Sequence, residues 1–157
     1  MAQAMIPENL QQDPVVAALA DLATTAKFEF NELTIEIDTA KIVEALGRVK
    51  HKLGFERLTS VTGVDKFPAE PRFEVVYHLQ ALAGKQRLRL KARVSGQTPQ
   101  IESVTSVYRG ADWYERETFD LFGITFLNHP DLRRIMMPED WEGHPLRKDY
   151  PITGTRY

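Results

Sequence analysis

The chain has 157 residues, with 20 Lys plus Arg against 22 Asp plus Glu, a formal charge of −2, 43% hydrophobic residues and no cysteine. Cys-ligated iron-sulfur clusters, zinc ribbons, thiol nucleophiles and disulfide frameworks are thereby excluded, and the near-zero charge lacks the basic excess that nucleic acid or an anionic membrane surface selects. The length predicts one compact domain; with no apolar run near the ~20 residues of a membrane span and no signal-peptide core in residues 1–13, a soluble, cytosol-facing chain is expected.

Asp13 as N-cap, Pro14 at the first helical position and Val15, Val16, Leu19 and Leu22 on one face predict a helix over residues 14–25. Phe28, Phe30, Leu33, Ile35 and Ile37 then alternate, interrupted at Asn31 and Glu32, as in two short strands joined by a tight turn. From Thr39, a candidate cap, Ile42, Val43, Leu46, Val49 and Leu53 recur at helical spacing until Gly54, where a left-handed C-cap belongs. Residues 55–64, 73–83 and 86–95 are strand candidates, the last two joined by a Gly84-Lys85 turn, and residues 101–107 supply one more. In the third, Leu88, Leu90, Ala92 and Val94 alternate with Arg87, Arg89, Lys91 and Arg93, placing four cations on one face. No aromatic platform interleaves them, so a solvated sheet face is expected and not a nucleic-acid reader.

The composition then shifts. Residues 1–107 hold six of the fifteen aromatics, whereas the last 50 residues hold nine, with both tryptophans and six arginines against one lysine. That mixture is what protein interface cores favour, because planar guanidinium and aromatic groups bind with little ordering cost. Within residues 108–127, Asp112 is positioned to cap a helix that Gly123 ends. Trp113, Tyr114, Phe119, Leu121 and Phe122 spread around that helix and leave no broad polar face for Glu115, Arg116, Glu117 and Asp120, so some of those charges are expected to be partly buried. Asp112, Arg116 and Asp120 share a stripe, on which Arg116 would bridge two carboxylates; Glu115 and Glu117 would need partners elsewhere.

Glu117 and Asp120 with His129 and His144 are the candidate set for a metal-dependent hydrolase. Both histidines precede proline in loop-like sequence, where nothing in the sequence fixes their rings relative to the helix, so structural hydrogen-bonded roles are expected for them. Four prolines in residues 130–151 limit regular structure in the tail. Too apolar for a solvated linker and too irregular for its own core, the tail should lie along a surface, its own domain's or a partner's.

Glu115-Arg116-Glu117, two positions, Asp120-Leu121-Phe122, six positions, His129, three positions, Arg133, one position and Ile135-Met136 form a long spaced pattern. Together with Trp141, Gly143, His144, Pro145, Leu146, Arg147, Lys148, Asp149, Tyr150 and Pro151, it closely resembles the C subunit of NADH-quinone oxidoreductase, the 30 kDa subunit family of respiratory complex I. The resemblance is close over about the last 45 residues; the first hundred agree in order and type of elements. It implies an α+β, two-layer fold with helices on one mixed or antiparallel sheet: a domain over residues 1–127, with the signature helix at about 112–122, and an extended irregular C-terminal arm over residues 128–157. It further implies a non-catalytic scaffold in the hydrophilic arm of a proton-pumping enzyme, with the complex I D subunit as main partner and the B and I subunits nearby, peripheral on the cytoplasmic face of the bacterial inner membrane. NADH, FMN, iron-sulfur clusters and quinone would be handled by other subunits.

By the same resemblance Glu115, Arg116, Glu117 and Asp120 would anchor the helix, while His129, Arg133, Arg134, Trp141, His144, Arg147, Lys148, Asp149 and Tyr150 would belong to the partner-facing arm. Truncation after Gly123 would then leave a soluble N-terminal fold. Related plastoquinone-reducing and membrane-bound hydrogenase complexes carry equivalent subunits.

Overall fold

The computed structural model describes residues 6–153. The outer ends of the two expected segments, residues 1–5 and 154–157, lie outside the described residues. A 3-10 turn at Glu8–Leu10 leads to α1 (Pro14–Leu19), where the Asp13 carboxylate accepts from the amides of Val15 and Val16. α1 is shorter than the periodicity implied. Thr24 and Thr25 are β-branched and stiff at χ1, and pairing with the next strand gives this backbone a ladder, so residues 23 onward leave the helix. They form β1 (Ala23–Glu29), which makes a hairpin with β2 (Glu32–Ile37) through Phe30 and Asn31, both at positive φ (53° and 60°). A bulge between Ala23 and Thr25 shifts the register, so Ala23 and Ala26 face inward. Phe28 and Phe30, expected on the core face, are 54% and 99% exposed at the hairpin tip.

Asp38, not Thr39, caps the next segment by accepting the Ala40 amide. A 3-10 turn at Thr39–Lys41 then runs into α2 (Ile42–Leu53), which ends at Gly54 with φ 73°. β3 (Arg57–Asp65), β4 (Phe73–Ala81) and β5 (Gln86–Val94) follow as a meander. The expected strand over 101–107 is only β6 (Gln100–Glu102), and after α3 (Ala111–Phe122) it pairs in parallel with β7 (Thr125–Leu127). Tyr108 explains the early end of β6. Its hydroxyl donates to the Phe55 carbonyl at 2.6 Å, and the chain turns through residues 103–108 to bring the ring into the core.

The main sheet has the order β1-β2-β5-β4-β3, antiparallel except for the parallel β2–β5 pair. Its inner face presents Ile35, Ile37, Val61, Val75, Tyr77, Leu79, Leu88 and Leu90 to Val16 and Leu19 of α1, Ile42, Leu46 and Val49 of α2, and Phe122 of α3. Gly63 lets α3 approach β3, since a Cβ there would lie 2.9 Å from the Phe122 ring. A cut after Gly123 falls inside this core: Ile124 and Phe126 are both buried beyond it. The outer face carries the alternate cations of β5, neutralised by Glu32 for Arg89, Glu74 for Lys91 and Glu36 for Arg93. Each pair keeps at least its cation partly in solvent, where such pairs are worth about 0–1 kcal/mol.

Candidate functional site

α3 begins after Gly110 with no side-chain cap, so Asp112 sits in the first turn, where a carboxylate complements the helix dipole. Gly123 ends the helix at φ 71°, its amide donating to the Phe119 carbonyl. The sides of this helix are inverted relative to ordinary amphipathicity: Glu115, Arg116, Thr118 and Asp120 are buried, while Trp113 is 63% exposed.

Each buried carboxylate is held by main-chain amides from loops that return to the helix. Glu115 accepts from the Ser103 hydroxyl at 2.6 Å and the Val104 amide at 2.7 Å. Burial outweighs these bonds and, helped by repulsion from Asp112, pushes its carboxyl up to about 7. Asp120 receives the amides of Ile135, Met136 and Met137 on one oxygen, at 3.0, 2.7 and 2.9 Å, and Arg134 on the other at 2.7 Å. Burial pushes that group up, but the three amides and Arg134 together hold it below the usual carboxylate range. Because Arg134 occupies Asp120, the expected bridge from Arg116 does not form. The Arg116 Nε instead donates to the Arg133 carbonyl at 3.2 Å, and its guanidinium lies 4.9 Å over the Trp113 ring.

Both histidine rings have the hydrogen-bonded structural roles expected of them, and contacts from distant positions fix the rings despite their loop-like surroundings. The His129 side chain is fully buried; its Nδ1 accepts the Asp131 amide and its Nε2 lies 3.2 Å from the Asp112 carbonyl, a pattern that a neutral ring protonated at Nε2 satisfies. The same Nε2 is 3.5 Å from Asp112 Oδ1, a buried atom with no hydrogen bond, and 3.8 Å from Glu115. His144 donates from Nδ1 to the Asp120 carbonyl at 2.9 Å, at the opposite end of the helix. The four groups of the hydrolase hypothesis therefore do not converge, and Glu117 is half-buried with neither hydrogen bond nor ion pair among the described residues.

The tail closes over the C-terminus of α3. Leu146 donates its amide to the Leu121 carbonyl, and Arg147 donates from Nε to Phe122 at 2.6 Å, a cation where the helix dipole is negative. Lys148 donates its amide to Asp65 at 2.8 Å, while Asp149 takes two bonds from Arg72, which also forks onto Asp65. Trp141 Nε1 bonds the Tyr150 hydroxyl at 3.1 Å. Of the residues expected on a partner-facing arm, His129, Arg134, His144, Arg147 and Asp149 thus contact the chain's own body, and the exposed Arg133 pairs locally with Asp131. Ser103, Asp65 and Arg72 escaped the sequence reading: their partners lie up to 83 positions away, and no spacing marks them.

A Cβ on Gly123 would lie 2.5 Å from both Arg147 and His144, in addition to the left-handed φ. Gly123→Ala is expected to lose about 2 kcal/mol or more, roughly 5 °C in Tm, with faster hydrogen exchange at the Leu146 amide. Unchanged melting and exchange would refute the arm's docking there.

No helix among the described residues is long and apolar enough to cross a membrane. Residues 35–156 match the family described as respiratory-chain NADH dehydrogenase, 30 kDa subunit. The chain belongs to this family. It is 47% identical over 123 residues to the NADH-quinone oxidoreductase C subunit of Citrifermentans bemidjiense, covering 78% of this chain and 76% of that one. It is also 47% identical over 139 residues to the corresponding C subunit of Roseiflexus castenholzii, covering 87% and 79%. Among solved structures, a trypsin-resistant fragment of Nqo5 superposes with TM-score 0.63 at 31% identity, covering 68% of this chain and 88% of the fragment. A chain in the structure of the membrane-bound sulfane sulfur reductase, an archaeal respiratory membrane complex, superposes with TM-score 0.71 at 25% identity, covering 91% and 81%. As a member of the 30 kDa family, this chain shares the α+β fold of those neighbours.

Proposed function

We propose that the chain is a non-catalytic scaffold subunit of the hydrophilic arm of proton-pumping NADH:quinone oxidoreductase. Supporting this is how the buried charges are used: Glu115, Asp120 and Asp65 all accept main-chain amides that hold loops and tail to the body. Such carboxylates build a rigid surface and are not free to act as acids, bases or ligands. NADH, FMN, the iron-sulfur clusters and quinone then belong to neighbouring subunits, with the D subunit the main contact, the B and I subunits nearby, and the assembly on the cytoplasmic face of the inner membrane. In this reading the arm presents its outer side to the D subunit, while residues 134–147 fasten its inner side to α3. A second reading is an equivalent place in a related plastoquinone-reducing or membrane-bound hydrogenase complex; the fit to a chain of an archaeal respiratory membrane complex supports a place in some related respiratory assembly.

Affinity purification of the tagged native chain at low detergent, with mass spectrometry of what accompanies it, tests the proposal. Redox subunits in fixed stoichiometry, the D subunit among them, are expected. A stable monomer accompanied by no redox subunit would overturn it.

A further inference from the structure

Arg116 is the charge on α3 that the fold leaves incompletely answered. The residue is only 6% exposed, yet among the described residues its sole hydrogen bond is from Nε to the Arg133 carbonyl, and it forms no ion pair. The chain's other half-buried arginines have fuller partners: Arg72 holds two carboxylates, Arg134 holds Asp120, and Arg147 caps the helix carbonyls. Burying a guanidinium without a counter-ion opposes folding, and within α3 only the face of the Trp113 ring answers it. Arg116 keeps 6% of its surface exposed, and none of its nitrogens is among the fully buried side-chain atoms found without a hydrogen bond among the described residues.

The fork is also rigid before anything binds. The Arg133 carbonyl fixes one edge and the Trp113 ring supports the plane, leaving the two terminal nitrogens without a hydrogen bond among the described residues. The edge they form matches a carboxylate bidentately, with little ordering cost on this side. Trp113 is 63% exposed beside it, and Met136, whose amide is tied to Asp120 one turn further along the stripe, is 61% exposed. A caged arginine beside an exposed tryptophan, on a helix whose next turn anchors an exposed methionine, has the composition of an interface hot spot. Glu117, half-buried without a side-chain partner among the described residues and one turn from Trp113, calls for a cation beside the incoming carboxylate.

We infer that Arg116, Trp113 and Met136 form a docking surface for a neighbouring subunit that presents an Asp or Glu carboxylate to the Arg116 fork, with apolar side chains over Trp113 and Met136. This rests on the scaffold reading and specifies the chemistry of the partner.

The test places photoreactive benzoylphenylalanine at position 113 of the full chain in its native complex, and compares Arg116→Gln and Arg116→Lys. The cross-linked peptide should come from a co-purifying redox subunit and contain an acidic residue. Arg116→Gln should lower recovery of that subunit about tenfold or more, and Arg116→Lys, which keeps the charge without the fork, should lower it less. The isolated Arg116→Gln chain should melt no lower than wild type, because a charge without a counter-ion has been removed. A substantially lower melting temperature would instead make Arg116 a structural residue and overturn the inference. Normal recovery by both variants, or cross-links only within this chain, would overturn it while leaving the scaffold reading intact. Failure of the native chain to recover any redox subunit would remove both.

Discussion

Asp120→Ala should destabilise the chain by about 3–5 kcal/mol, corresponding to a fall in Tm of roughly 10 °C or more. The carboxylate is fully buried and answers three consecutive amides and one guanidinium. Removing it leaves three amides without an acceptor and Arg134 without its counter-ion at the point where the tail first meets α3, and an unsatisfied buried donor costs about 1–3 kcal/mol. Local opening should be visible before global unfolding, as faster hydrogen exchange at Ile135, Met136 and Met137 and as proteolysis between residues 133 and 146. Asp120→Asn retains an acceptor for the amides but loses the ion pair, and should fall between. Melting within 2 °C of wild type, with those amides still protected, would show that the tail is held by something else.

Glu115→Gln should reverse sign with pH. The group titrates near 4.5 in an unfolded chain and at about 7 in the folded one. Between those values the folded state holds a proton that the unfolded chain has released, so raising the pH favours unfolding. The contribution of Glu115 is therefore fullest below pH 4.5 and declines until about pH 7, by up to roughly 3 kcal/mol. Glutamine cannot ionise and still offers an oxygen to the Val104 amide. The variant should be no more stable than wild type at pH 5 and more stable at pH 8, in urea titrations across that range. A difference constant with pH would mean that burial does not raise the Glu115 carboxyl above its ordinary range, and would overturn this prediction. Asp65 and Asp120 act in the other direction: both are held below the ordinary value of 3.8, so their stabilisation is present above it and is lost as the pH falls through their lowered values.

Much of this fold was legible in the chain because its signals are local. The Gly54 and Gly123 stops, the Asp13 cap and the alternation in β5 each depend on neighbours within a few positions, and the structure shows each of them. Errors arose where distant contacts decided. The helix expected to continue past Leu19 became β1 because β2 supplied a ladder, and β6 stopped early because Tyr108 reaches Phe55. On α3 the sequence showed that charges had to be buried but paired them wrongly. Arg116, Asp112 and Asp120 share a stripe, yet Asp120 is taken by Arg134 from the returning tail, which helical spacing does not reveal. The two histidines illustrate the same limit, since their rings are fixed by carbonyls 17 and 24 positions back along the chain.

The bond from Asp65 to the Lys148 amide spans 83 positions, and the Arg72–Asp149 pair spans 77. During synthesis the sheet and α2 emerge well before these late partners, so a nascent chain has an almost complete core while Asp65, Arg72 and the last turn of α3 still lack their final contacts. Domains fold as the chain emerges, whereas contacts between distant positions form late. Closure of the tail therefore acts as a completion mark. Only a chain translated through residue 149 can make all of these contacts, so the surface over the end of α3 becomes rigid last.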